Sequence, residues 1–310
     1  MEHVRKETRA KRWARLIRRD KYLLLMFLPI MAYYIFFHYL PMTGAIIAFK
    51  KFVPGHGIYY GKWVGLKWFD QFLSSPFAWR LIRNTLLISI YYILIGFPLP
   101  IIFAVCVSEI RTSGVKRTLQ TVSYLPHFIS TVILVGMLKN MFSLDHGIVN
   151  VVIRALGGEQ INFFQDPRWF RPLYVGSSVW QGFGWESIIY ISAISGIDPT
   201  LYEAGEMDGI TRFGKAVHIT VPMIAPTIII LFIMELGSVM SVGFEKVFLM
   251  YNTATYETAD VISTYVYRKG LNDGQYSFSS AVGLFNSVVN FVLVFSANSL
   301  CRKASGSSLW

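Results

Sequence analysis

Three ionisable side chains interrupt otherwise apolar stretches of this chain: Lys139, Glu186 and Glu235. Charge is costly there, so each must face a polar interior, although Lys139 is close enough to its helix end to reach the interface. A carboxylate in such a place serves as a general base, a proton carrier or an acceptor for hydroxyl groups. Around Glu186 stand Trp180, Phe183, Trp185 and Tyr190, with Phe183 and Tyr190 as its helical neighbours. Aromatic faces stack on the C–H surface of a sugar ring while a polar group bonds its hydroxyls, so the cluster suits a glycan. Ser238 shares a helical face with Glu235, and Asn286 and Asn290 share another. Plainer roles stand beside these: the asparagines as interhelical glue, Glu235 as a bridge to Lys139, each aromatic singly as packing.

A second stretch, Gly209-Ile-Thr-Arg-Phe-Gly214-Lys215, fits the Gly-x4-Gly-Lys of a phosphate loop. Ala216 stands where that loop needs Ser or Thr to hold magnesium, and no strand precedes it, so nucleotide binding there is excluded. The histidines show no metal-ligand spacing. Cys106 and Cys301 both fall near inner ends of expected spans and imply no disulfide framework.

The elements that must position these residues follow from composition. The 310 residues are 54% hydrophobic and 15% charged, with mean hydropathy +0.46, which marks an integral membrane protein. Of the 29 Lys and Arg behind the net charge of +11, nine lie in the first 21 residues, directly before an apolar run. That placement fits membrane topology and anionic lipid rather than nucleic acid. Residues 1–21 form a basic cytoplasmic segment, either an amphipathic helix on the inner leaflet or a solvated arm.

Six segments have the length and apolarity to cross a bilayer: Tyr22 to Leu40, Asn84 to Val107, Thr121 to Phe142, Leu173 to Ile194, Val221 to Val242 and Ser279 to Leu300. Pro29, Pro98, Pro100 and Pro126 lie within them, where kinks rather than breaks are expected. The layout is all-α, with a six-helix domain over 22–300, a short tail over 301–310, and both termini cytoplasmic. The basic loop from Lys50 to Arg83 runs against that orientation, but the flanks of the first helix usually dominate. Within that loop, Trp63 to Leu73 has helical apolar spacing and reads as an amphipathic surface helix. Its lysines and arginines either steer an acidic ligand or partner or contact anionic lipid.

The inner loop 195–220 carries more pattern than a connector needs. Asp198-Pro199 is a helix start, and Asp208-Gly209 a turn. A helix is expected from Pro199 to about Met207 and a second from Thr211 toward Ile219, with Pro222 marking the start of the fifth span. Two short helices about a glycine turn make a rigid knob against the membrane face.

Glu203-Ala204-Gly205-x-x-Asp208-Gly209, followed by Ile219, Pro222 and Pro226, resembles the EAA signature of bacterial ABC importer permeases. The resemblance implies the type I importer fold and a coupling helix seated in a groove of the ATPase, with Glu203 and Gly209 as contacts and Asp208 shaping the turn. Gly205 replaces the second alanine, and Ala216 stands where a bulky aromatic is usual, with Phe213 nearby. Trp63-Val-Gly-Leu with Phe69, Arg83-Asn-Thr85 and the run from Trp180 to Tyr190 look like the carbohydrate-uptake branch related to maltose permease. Gly243-Phe-Glu-Lys-Val and Tyr256 to Tyr267 look like the branch importing complex or acidic oligosaccharides into Gram-positive bacteria.

What the resemblance implies is a multi-pass permease of the bacterial cytoplasmic membrane that imports an oligosaccharide, with an acidic, uronate-containing one among the candidates. Its partners would be a second homologous permease, two copies of a cytoplasmic ATPase and an extracellular solute-binding lipoprotein. The chain itself would hold no cofactor and perform no covalent chemistry, ATP and Mg belonging to the ATPase. Two rivals stand beside this reading: an ion-coupled secondary transporter, and a membrane-embedded glycan-processing enzyme.

Overall fold

The structure is a computed structural model that describes residues 18–305. The expected N-terminal amphipathic segment falls largely on residues 1–17, and the tail partly on 306–310; both lie outside the described residues. The chain divides into two units, residues 1–67 and 68–310.

In the first unit, α1 runs over Lys21–Phe49, beyond the expected end at Leu40. Its second half passes through a π turn at Ile35–Tyr39 and ends as a 3-10 helix, Thr43–Phe49. None of its most apolar window is buried within the chain, so its surface requires lipid or a partner. Beyond it, Lys51 N–H donates to the Lys62 carbonyl at 2.8 Å, and Gly61, at φ +107°, passes so close to the Lys51 carbonyl that no side chain fits. The expected helix over Trp63–Leu73 is shorter than its apolar spacing suggests: Gly65 turns the chain at φ +60°, and α2 covers only Lys67–Leu73.

The second unit begins within α2 and contains the remaining helices. Here α3 spans Ala78–Ser108, continuous through Pro98 and Pro100. The segment Thr121 to Phe142 is not one straight span, contrary to its even hydropathy. Ser113–Phe128 (α4) and Thr131–Met141 (α5) meet at a 97° bend. Pro126 tightens the end of α4 into a 3-10 turn, Ile129 goes extended, and Ser130 Oγ accepts from Ile133 N–H to start α5 afresh. The loop after it carries α6, Ile148–Ala155. The long helix α7, Pro167–Ser195, has 29 residues, about 43 Å at 1.5 Å per residue.

After α8, Pro199–Met207, the expected second short helix does not stand alone. It is the N-terminal end of α9, Arg212–Leu236. Pro222 lacks the N–H that an unbroken α-helix would use, and a π turn at Ala216–Thr220 absorbs the mismatch instead of a break. At its other end α9 stops at Leu236 rather than Val242, leaving 237–243 as an irregular turn. The following loop holds α10, Phe244–Met250, α11, Tyr256–Ala259, and α12, Ile262–Tyr267, before α13, Tyr276–Ser305. Among the described residues four helices, α1, α3, α9 and α13, are long and apolar enough to cross a membrane, and the bent pair raises the number to five.

A buried polar network ties the loop between α9 and α13 to α3 and α7. Asp260 has no exposure; its carboxylate pairs with Arg268 at 2.7 Å and Arg80 at 3.7 Å and accepts from Thr264 Oγ1 at 2.9 Å. Asn84, also fully buried, donates through Nδ2 to the carbonyls of Glu257 and Asp260, at 2.9 and 3.0 Å, and its Oδ1 accepts from Arg171. Thr85 Oγ1 accepts from Ile262 N–H at 3.2 Å. Removing one partner of a buried charge pair strands the other, so Asp260→Ala should cost about 3–5 kcal/mol. Asn84→Ala, which strands two carbonyls, should cost about 1–3 kcal/mol. Thermal unfolding of the purified protein in detergent checks both, and an Asp260→Ala variant as stable as the parent would contradict the role given to the network.

Candidate functional site

The loop 195–220 is built from capped turns. Asp198 Oδ1 accepts from Thr200 N–H at 3.0 Å and starts α8, with Pro199 at its first position. That backbone N–H also holds the Asp198 carboxyl below the usual carboxylate range. The helix closes through Asp208 N–H to the Ala204 carbonyl and Ile210 N–H to the Gly205 carbonyl, at 3.0 and 2.9 Å. Gly209 reverses the chain at φ +75°, a conformation natural to glycine. Thr211 Oγ1 then caps α9 by accepting from Gly214 N–H.

The underside of this hinge is packed and the tip is bare. Gly205 is buried, and a Cβ on it would lie 3.0 Å from Ile219 Cδ1, so the missing methyl lets α8 settle on α9. Tyr202 and Thr220 share a hydrogen bond of 3.0 Å, and Lys215 Nζ meets Glu206 Oε1 at 2.6 Å, which holds the Glu206 carboxyl below its ordinary range. The lysine of the apparent phosphate loop is therefore a structural ion-pair partner. Glu203, Ala204, Asp208 and Gly209 are exposed, and so is Pro222 at the foot of the span. Phe213 is 81% exposed and Met207 89%, two large apolar side chains flanking the Gly209 turn. Met207 was not singled out from sequence; its position at the last turn before Asp208-Gly209 was the available signal.

Within the helices the singled-out residues separate into groups. Tyr92 Oη donates to Glu186 Oε1 at 2.8 Å, and Gly182 makes room, since a Cβ there would lie 2.6 Å from that oxygen. Tyr92 lines a cavity of about 250 Å³ with Ser89, Tyr174, Ser178, Glu235, Ser238 and Ser241. Glu186 thus joins this wall through Tyr92, whereas Glu235 and Ser238 face it directly. Among the described residues no ion pair joins Glu235 to Lys139, so the bridge alternative does not hold.

The remaining residues lie elsewhere. Tyr190 is buried against Ala104, Ile194 and Ile224. Phe183 packs edge-on against Phe103, with centroids 5.3 Å apart. Trp185 stacks flat on His127 at 4.6 Å, where the bend between α4 and α5 brings the imidazole. Trp180 lines a separate apolar cavity with Met137, Leu138, Met141 and Leu173. Asn290 Oδ1 accepts from Met240 N–H at 2.9 Å and Asn286 Nδ2 donates to the Met240 carbonyl at 3.1 Å, so both staple the irregular turn after α9. Ser89, Tyr92, Tyr174 and Ser178, cavity residues that sequence reasoning passed over, recur as i, i+3 and i, i+4 pairs on α3 and α7.

A family model described as binding-protein-dependent transport system inner membrane component matches residues 96–305. Protein LplB of Bacillus subtilis (strain 168) is 43% identical over 298 residues, covering 96% of this chain and 94% of that protein. The polygalacturonan/rhamnogalacturonan transport system permease protein YteP of the same organism is 42% identical over 299 residues, covering 96% and 93%. Among solved structures, a chain of a bacterial alginate ABC transporter, crystallised with alginate pentasaccharide-bound periplasmic protein, superposes with a TM-score of 0.88 at 40% identity. The alignment covers 95% of this chain and 99% of that one. With the family model spanning most of its helices and such relatives matched nearly end to end, the chain belongs to the binding-protein-dependent transport system inner membrane components, the permease subunits of ABC importers.

Proposed function

We propose that this permease carries an acidic, uronate-containing oligosaccharide delivered by an extracellular solute-binding protein. The observation that carries the reading is the 42% identity to a polygalacturonan/rhamnogalacturonan permease and the 40% identity to an alginate transporter chain, along nearly the whole length. The hydroxyl-rich cavity beside Tyr92, Glu235 and Ser238 supports it, because hydroxyl and carboxylate acceptors suit sugar hydroxyls. In this reading the chain crosses the membrane six times, by α1, α3, the bent pair α4 and α5, α7, α9 and α13. Residues 1–21 and the tail from 301 lie in the cytoplasm, on the side where loop 195–220 meets the ATPase.

A second permease completes the pathway, and two ATPase copies supply ATP and Mg. Glu203, Ala204, Asp208, Gly209 and Phe213 face the ATPase groove, with Met207 added beside them, while Gly205, Ile219 and Pro222 shape the loop behind them. Glu186 acts on substrate through the Tyr92 hydroxyl. Glu186→Gln should lower substrate-stimulated ATP hydrolysis several-fold, and unchanged stimulation would remove it from the pathway.

Two further measurements test the reading. In proteoliposomes with all partners, binding protein loaded with uronate oligosaccharides should stimulate ATP hydrolysis above the level reached with neutral ones; equal or absent stimulation by uronates rejects the substrate class. Phe213→Ala removes an exposed side chain, so stability should stay within about 0.5 kcal/mol. The same variant should lose ATPase association in pull-down, and full association would show that Phe213 is not a docking contact.

A further inference from the structure

Lys246 stands in the Gly243-Phe-Glu-Lys-Val stretch and points into the protein rather than toward solvent. It is 7% exposed; Nζ donates to Ser178 Oγ at 2.7 Å and lies 5.1 Å from the centre of the Tyr174 ring. Among the described residues no carboxylate pairs with it. Its neighbours on α10, Val247 and Met250, are buried apolar side chains of the core, so packing alone would favour an aliphatic residue here. Burying an ammonium without a counter-ion is expensive, and one hydroxyl plus a ring face satisfies only part of its three-donor capacity.

Both groups that hold Lys246 are walls of the cavity. Tyr174 and Ser178 line it on α7, and Gly243, the residue before α10, lines it beside them. A Cβ on Gly243 would stand 3.1 Å from the Tyr174 hydroxyl, so the glycine lets α10 approach α7 closely. An anion entering at Ser178 would therefore meet the ammonium across a single hydroxyl. The same cavity offers Ser89, Tyr92, Ser238, Ser241 and Glu235, acceptors and donors for hydroxyl groups.

We propose that Lys246 is a specificity-determining residue of the translocation path: it exchanges its bond to Ser178 for a carboxylate of the passing glycan, while the serines, Tyr92 and Glu235 bond the ring hydroxyls. The proposal rests on the acidic-oligosaccharide reading above. A charge-assisted hydrogen bond to carboxylate is stronger than the neutral one it replaces, and a neutral sugar leaves the ammonium as it was. Discrimination arises from that difference.

The test uses the complete transporter in proteoliposomes, with binding protein saturated either by a uronate oligosaccharide or by its carboxyl-reduced, neutral counterpart. The readout is the ratio of the two uptake rates, in which a general loss of folding or assembly cancels. Lys246→Met and the hydrogen-bonding but uncharged Lys246→Gln should each lower the ratio about tenfold, and Lys246→Arg should restore most of it. A parental ratio retained by the Gln variant overturns the role of Lys246, even if the Met variant fails to assemble. Failure of the parent transporter to take up any uronate oligosaccharide overturns the substrate reading itself.

Discussion

Asp260 is a carboxylate without solvent, and the loop between α9 and α13 is arranged around the groups that make it tolerable there. A buried charge survives only when paired and hydrogen-bonded. Arg268 comes from the turn after α12, Arg80 from α3 and Thr264 from within α12, so neutralising one side chain draws separate elements to one point. Asn84 and Thr85 then hold the backbone on either side of that carboxylate, and Arg171 extends the network to α7. The pattern Arg83-Asn-Thr85 and the run from Tyr256 to Tyr267 are therefore two faces of one joint. Their shared function is to fix a long loop against the helices. Arg80 Nε and Arg171 Nε are buried without partners, which leaves the joint richer in donors than in acceptors.

How much of this was legible in the sequence depended on whether the signal was local. Apolar runs announced the helices, because the bilayer selects by length and hydropathy. The Asp-Pro start and Asp-Gly turn located the hinge of α8 to the residue, because capping and positive φ are properties of neighbouring atoms. The bend at Ile129 was missed for the complementary reason: hydropathy is scalar and records no direction, so Pro126 and Ser130 changed the path while the average stayed apolar. The asparagines show the same limit. Their spacing named a shared face, but only the fold shows that the face meets the Met240 peptide. Glu186 and Tyr92, on different helices, had no spacing by which to be paired.

The replacement of the second alanine by Gly205 and the absence of a bulky side chain at Ala216 also find a common explanation. Gly205 lies against Ile219, Ile210 and Lys215, so α8 sits close on α9 with no methyl between them. Ala216 is only partly exposed and begins the π turn, whereas Phe213 stands out on the tip. A large ring is thus presented one turn nearer the Gly209 reversal. The bulk expected at one position is carried at another, and the close packing beneath it keeps the displaced ring on a firm base.

That base continues into the membrane. Because α9 begins within the loop, Phe213 and Glu235 sit on one helix, separated by about 33 Å at 1.5 Å per residue. A helix transmits displacement along its axis better than two helices joined by a free turn, since its hydrogen-bond ladder must distort before its ends move independently. The π turn at Ala216–Thr220 and the prolines that follow it, Pro222 and Pro226, make this stretch of α9 the one where that ladder is already irregular, so bending concentrates there. Beyond Glu235 the chain leaves the helix, and Asn286 and Asn290 of α13 hold the Met240 peptide while the Ser89 hydroxyl of α3 donates to the Val239 carbonyl. A push at the loop tip therefore arrives at the cavity wall with Glu235 and Ser238, and the turn behind them is anchored to helices on two sides. Motion at this point changes the shape of the cavity instead of sliding the turn past its neighbours, as the coupling proposed for loop 195–220 needs.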